Sequence, residues 1–274
     1  VQMYTIDIPL GNIPKSILYK VGIWATKKIY KLAVKKEGEP DLIHTFFTDQ
    51  AYMVTKAFED SDIPVVVTEC NSHINKDNID KKLEKAASFA YNKASKLISV
   101  SPDFKNKLKK RFGVDSSVVT VIPNLDIFKY NPNKVTNDSK FRFVSTGRVT
   151  VAKGMEDLID AFIKEFADDE NVTLEIFGDG DYKDALDTKI RNHGLSHRIK
   201  LSGMADRTTI AREYQSKDVF CLYSHSETFG LAYLEALASG LPIISSKCGG
   251  PEHLIEKENG ILVDLNDIDA LGKA

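Results

Sequence analysis

From residue 41 onward, short apolar runs alternate with longer stretches whose apolar residues recur every three or four positions. Residues 41–45, 63–68, 96–100 and 118–122 read as strands. The run 63–68 (IPVVVT) is apolar throughout, as expected of a strand covered on both faces. Residues 50–59, 80–93 and 102–112 read as the intervening helices. The rhythm resumes with strands at 141–146, 172–177, 198–201, 218–223, 242–245 and 261–263. Helices are predicted from Gly154 to about Phe166, at 181–193, at 206–215, and from near Phe229 and Gly230 to Gly240, where a glycine followed by Pro242 stops a helix. This alternation predicts parallel sheets with helices on both faces, an α/β protein. Residues 123–138 are rich in Asn and Pro without periodicity and read as a linker between domains 1–134 and 135–274. Upstream, residues 4–10 read as a short strand. Residues 14–36 read as a long helix with Ile17, Leu18, Val21, Trp24, Ala25, Ile29 and Leu32 at helical spacing.

The 274 residues suffice for two domains with ordinary cores, and 42% hydrophobic with 28% charged residues is a soluble α/β composition. A net charge of −2 gives no reason to expect a nucleic acid partner. The charge is uneven, however: residues 1–113 hold 19 Lys and Arg against 13 Asp and Glu. Lysines line the polar side of the first helix, and a second basic cluster runs from Lys105 to Arg111. Such helices either present a solvated face or rest on an anionic membrane surface. Cys70, Cys221 and Cys248 are odd in number and far apart, so a reducing compartment is expected rather than a disulfide framework. No run reaches the roughly 20 apolar residues of a membrane span, and no signal peptide is recognised.

Two turns carry candidate chemistry. In 226–240 (SETFGLAYLEALASG) a strand passes through a polar turn into a helix, with Glu227 before the helix and Glu235 eight positions later. The helix N-terminus, around Gly230, Leu231 and Ala232, offers backbone N–H groups and a positive dipole end to a phosphate. The two carboxylates can accept hydroxyls on either side of it. A phosphate flanked by two polyols is a sugar nucleotide. The plainer reading is a strand–turn–helix unit with a capping Glu227 and a solvated Glu235. The second turn, 147–154 (GRVTVAKG), places Arg148 and Lys153 where both can reach one diphosphate, Arg as a planar fork and Lys as a mobile point charge.

The string SETFGLAYLEALASGLPII, followed by GGPEHLI and NGILVD, resembles the donor-site signature of the retaining glycosyltransferases of family 4, whose pattern is Glu, seven residues, Glu. The Gly-Arg…Lys-Gly turn fits the same family, and PNLD at 123–126 matches its inter-domain turn except that Leu125 replaces glycine. The resemblance is clear over 141–264 and looser over 40–130. It implies a GT-B-like architecture, two Rossmann-like doubly wound domains facing across a cleft. It also implies glycosyl transfer with retention from a nucleotide-diphosphate sugar to a hydroxyl of a glycan or glycolipid. Arg148, Lys153 and Glu227 would be catalytic. Gly147, Phe229, Gly230, Leu231, Ala232, Glu235 and Met204 would bind the donor, Met204 beside the base. No cofactor and no metal would be required, because two cations and a helix N-terminus already face the diphosphate. A cytoplasmic protein is expected, with contact to the inner face of the membrane through the basic N-terminal half. A glycine-rich first loop and the closing helices of the family are not found, so the sequence is expected to be a fragment lacking both ends.

Other constellations add little. His193 and His197 have the spacing of a zinc pair, but Gly194 interrupts the helix that would align them. Gly178-Asp179-Gly180 lacks the third glycine of a dinucleotide fingerprint and reads as a tight turn. His225 and His253 adjoin the signature and read as solvated or cleft-lining. Where the family places a histidine after the 63–68 strand this chain has Cys70, with Glu69 and His73 the nearby substitutes. An epimerase, a phosphorylase and a non-catalytic sugar-nucleotide binding module share this cleft; no lysine marks a pyridoxal phosphate site.

Overall fold

The structure, a computed structural model, describes residues 3–5, 13–76, 78–132 and 139–274. The chain divides into two compact units, Val1–Thr120 and Val121–Ala274. Most of the strand expected at 4–10 and the boundary expected at 134/135 lie outside the described residues.

The first unit runs α1 (Lys15–Glu37), β1 (Ile43–Phe46), α2 (Thr48–Ala57), β2 (Val65–Glu69), α3 (Ser72–Asn75), α4 (Lys81–Lys93), β3 (Lys96–Ser99), α5 (Pro102–Phe112) and β4 (Ser117–Val118). Its strands form a parallel sheet in the order β1-β2-β3-β4 among the described residues. The helices begin where their caps say they should. Asp80 accepts from the N–H groups of Lys82 and Leu83, Ser101 accepts from Phe104, and Pro102 takes the first helical position, where no N–H is needed. α4 buries Leu83, Ala86, Ala87, Ala90 and Tyr91, the apolar stripe that seats it. α1 buries Tyr19 and leaves Ile17, Trp24 and Leu32 exposed beside its lysines. The strand expected at 118–122 shrinks to Ser117–Val118 because Val119, Val121 and Ile122 are exposed and pair with no further strand among the described residues.

The second unit runs β5 (Phe141–Thr146), α6 (Met155–Phe166), β6 (Val172–Phe177), α7 (Lys183–Asn192), β7 (Ile199–Gly203), α8 (Arg207–Tyr214), β8 (Val219–Leu222), α9 (Leu231–Ala238), β9 (Ile243–Ser246), β10 (Gly260–Val263) and α10 (Ile268–Lys273). Its described strands are all parallel in the order β10-β9-β8-β5-β6-β7. Counted from β5 that is the doubly wound order 3-2-1-4-5-6. The direction of winding reverses between β5 and β8. Outside the carboxyl ends of those two strands the chain leaves in opposite directions and opens a crevice, the usual ligand position in such sheets. The core beneath is continuous. Val144, Leu174, Ile176 and Phe220 of the sheet pack with Met155 and Ile159 of α6 and Tyr233 of α9. Each such side chain contributes about 2 kcal/mol by leaving water. Part of the 123–138 segment joins this core: Phe128 is buried, its ring 6.0 Å from that of Tyr214.

Candidate active site

Both sequence-predicted turns emerge at the reversal point, one from β5 and one from β8. After β5 the chain passes Gly147 and the exposed Arg148, makes a 3₁₀ turn at Val151–Lys153, and enters α6 through Gly154. Gly154 has φ 58°, and a Cβ there would lie 1.9 Å from the Tyr223 carbonyl oxygen. Only glycine lets this turn lie so close to the end of β8. Two further contacts stitch the loops together. The His225 N–H donates to the Ala152 carbonyl at 3.0 Å, and His225 Nε2 meets Asp157 Oδ2 at 2.6 Å.

The stitching sets Lys153 against Glu227. Lys153 Nζ donates to Glu227 Oε1, which also accepts from Ser224 Oγ at 3.1 Å. Both side chains are largely out of water, so each charge depends on the other. Arg148 is exposed and has no ion-pair partner among the described residues, which leaves its guanidinium available to a ligand anion.

α9 starts at Gly230, with φ 91°, directly after the buried Phe229. A Cβ on Gly230 would lie 2.2 Å from the Tyr233 ring. That ring is locked: its hydroxyl donates to the Leu222 carbonyl at 3.2 Å and accepts from Ser245 Oγ at 3.0 Å. The first amides of the helix, from Gly230, Leu231 and Ala232, therefore point out of a rigid end with no intrahelical acceptor. Phe229 itself packs at 5.4 Å on the His253 ring, so its side chain braces the turn. Glu235, one turn further, is 8% exposed and its Oε1 accepts from Arg207 on α8. Met204, just past β7, is 76% exposed. Below it Glu175 lies among Lys217 at 2.5 Å, Lys200 at 3.2 Å and Ser202. Burial pushes the Glu175 carboxyl up, and hydrogen bonds from Lys217 and Ser202 outweigh it, holding the group below the ordinary carboxylate range.

The structure thus brings Gly147, Arg148, Lys153 and Glu227, with the α9 N-terminus, to the reversal point; Glu235 lies further along α9 and Met204 beyond the edge strand β7. Sequence reading missed Arg207, Ser224 and Asp157. Asp157 and His225 are 68 positions apart and Arg207 and Glu235 are 28 apart, so no local spacing announces either pair. One signal existed: α9 carries no Lys or Arg, and a buried glutamate on such a helix needs a cation from elsewhere.

On the first unit, Glu69 is fully buried. It accepts from Thr48 Oγ1 at 2.7 Å, Tyr91 OH at 2.6 Å and the Asn71 N–H at 2.7 Å. Burial raises its pKa in spite of these donors. It anchors the loop after β2. Cys70 beside it has its thiol pushed up to about 11 by burial and then by Glu69. His193 and His197 do not converge: His193 Nδ1 meets the Lys189 carbonyl at 2.9 Å and His197 Nε2 meets Glu170 at 3.2 Å. No disulfide joins Cys70, Cys221 or Cys248 among the described residues.

The chain has relatives among known proteins. Residues 126–274 match the family of glycosyl transferases group 1, and residues 4–125 match Glycosyltransferase Family 4. The chain belongs to the family of glycosyl transferases group 1. The chain is 26% identical over 265 residues to a glycogen synthase of Mycobacterium tuberculosis, covering 92% of the chain and 63% of that relative. It is 34% identical over 134 residues to an alpha-monoglucosyldiacylglycerol synthase of Acholeplasma laidlawii, covering 48% of the chain and 33% of that relative. The chain therefore spans less than two thirds of either. Among solved structures it resembles sucrose-phosphate synthase of Thermosynechococcus elongatus, with TM-score 0.82 and 22% identity over 97% of this chain and 70% of that one. It also resembles Anabaena Alr3699/HepE in complex with UDP-glucose, with TM-score 0.78 and 22% identity over 92% and 72%. These likenesses establish the GT-B fold with its two Rossmann-like units. No described helix is long and apolar enough to cross a membrane.

Proposed function

We propose that this member of the group 1 family moves a hexose from a nucleotide-diphosphate sugar to a hydroxyl of a glycan or glycolipid, with retention at the anomeric carbon. The observation that carries the reading is the pair of turns at the sheet reversal. One supplies Arg148 and Lys153, and the other a rigid helix N-terminus flanked by Glu227 and Glu235. Arg148, Lys153 and the amides of Gly230, Leu231 and Ala232 stabilise charge developing on the departing diphosphate, the kind of preorganised electrostatics that dominates such catalysis. Glu227, held by Lys153 and Ser224, accepts from the sugar hydroxyls. Glu235 accepts from the ribose diol, and the backbone near Met204 faces the base. Because this cationic set balances the diphosphate, a divalent metal is not required.

The HepE complexes with UDP and UDP-glucose support a nucleotide-sugar donor. The names of the glycogen and glucolipid synthases support an acceptor that is a glycan or a glycolipid. We place the reaction in the cytoplasm. Peripheral contact with the inner membrane face is supported by α1, which carries seven lysines and no acid before Glu37. The test is to supply UDP-, GDP- and ADP-linked hexoses with candidate acceptors and follow the anomeric proton by NMR. Retention in the first-formed product is expected. Inversion, an epimerised donor, or binding without turnover would each replace the proposal with a different function.

A further inference from the structure

Glu235 accepts, through Oε1, a hydrogen bond from an arginine that the donor-site reading does not use. Its side chain is 10% exposed, whereas that of Arg207 is 51% exposed. A carboxylate so far out of water is costly to bury unless a cation pairs with it. α9 carries no basic residue, so that cation comes from α8. Arg207 is well placed to stay there. It is the first residue of α8, whose start is fixed by Asp206 accepting from the Thr209 N–H at 2.7 Å. Its guanidinium lies 5.9 Å from the centre of the buried Phe128 ring, a cation–π arrangement that supports the planar group from below. The hydrogen bond from Nη2 engages one carboxylate oxygen, and a guanidinium has five N–H donors in a fixed fork.

We infer that Arg207 is a positioning residue of the nucleoside subsite. It holds Glu235 in one rotamer, with Oε2 directed to the ribose diol, and it sets donor affinity without taking part in the transfer step. The inference rests on the assignment of Glu235 to the ribose. Arg207 approaches from solvent and Glu235 from the helix, so the carboxylate is braced on one oxygen before the donor arrives. The opposite role, a latch that the ribose must displace, predicts the opposite sign on removal.

The experiment is calorimetric titration of the full chain with UDP, GDP and ADP, together with donor kinetics, for wild type, Arg207→Ala, Arg207→Lys, Glu235→Gln and the Ala/Gln double variant. The nucleotide that binds is expected to bind about tenfold more weakly to Arg207→Ala, with donor KM raised, kcat unchanged and partial rescue by lysine. The double variant is expected to bind no more weakly than Glu235→Gln alone. Thermal unfolding gives a readout without ligand: Arg207→Ala lowers Tm, and adding Glu235→Gln restores it. Tighter or unchanged nucleotide binding by Arg207→Ala, or a fall in kcat instead of a rise in KM, overturns the inference. An effect of Arg207→Ala with none from Glu235→Gln, or no binding by wild type, overturns the ribose assignment beneath it.

Discussion

At the residue scale the site is built on charges that are partly withdrawn from water and each balanced by an opposite charge. Lys153 and Glu227 are such a pair, with side chains 21% and 11% exposed. Removing one member leaves the other without its opposite charge, whereas replacing both leaves only ordinary polar and apolar groups. Lys153→Met is therefore expected to cost roughly 1–3 kcal/mol of stability and to abolish most transfer. Adding Glu227→Gln should recover most of the stability and none of the activity. Denaturant unfolding and initial rates on the three proteins check this. Stability and activity falling and returning together would contradict it. These contacts were only half legible beforehand. Lys153 and Glu227 stood out because each lies in a strand-to-helix turn, but their pairing across 74 positions depends on β5 and β8 lying side by side.

At the element scale, the strand–turn–helix units place the chemistry, and their turns are held by backbone approach more than by side chains. Gly154 shows the limit. An alanine there adopts a left-handed backbone, at about 1 kcal/mol or more, and drives its Cβ into a backbone carbonyl that cannot step aside. Gly154→Ala is expected to lose about 2 kcal/mol or more in total. It should also raise donor KM, because Lys153 and Arg148 shift with the turn. Urea unfolding and donor kinetics read both effects, and a variant with native stability and KM would show that the close approach is not needed. Most elements were legible because hydrophobic period and caps agreed, as at α4, where Asp80 precedes a clean apolar stripe. α3 was not: four residues carry no period, and its start depends on the Asn71 side chain accepting from the His73 N–H at 2.9 Å. The predicted strand at 118–122 failed for a related reason, since its neighbour β3 ends at Ser99, whose carbonyl takes the Val119 N–H, and the residues beyond have no strand beside them among those described.

At the scale of the whole molecule, the sheet order of the second unit turns separate motifs into one site. Alternating strands and helices announce a parallel sheet, but they do not say that the fourth strand pairs with the first. That pairing, Phe143 with Val219 and Val144 with Phe220, brings Arg148 and Lys153 to the turn that carries Glu227 and the α9 amides. Labour is divided accordingly. In the proposed function the turn after β5 binds the diphosphate and Glu235 on α9 binds the nucleoside. The measurement that tests this most directly is a titration of wild type, Arg148→Ala and Glu235→Ala with a nucleoside diphosphate and with the same nucleoside lacking phosphates. Arg148→Ala is expected to weaken the diphosphate about tenfold or more, the worth of one charge-assisted hydrogen bond, and to leave the nucleoside unchanged. Glu235→Ala is expected to weaken both. If Arg148→Ala weakens the two ligands equally, or neither, the diphosphate does not sit at the β5 turn and the account is wrong.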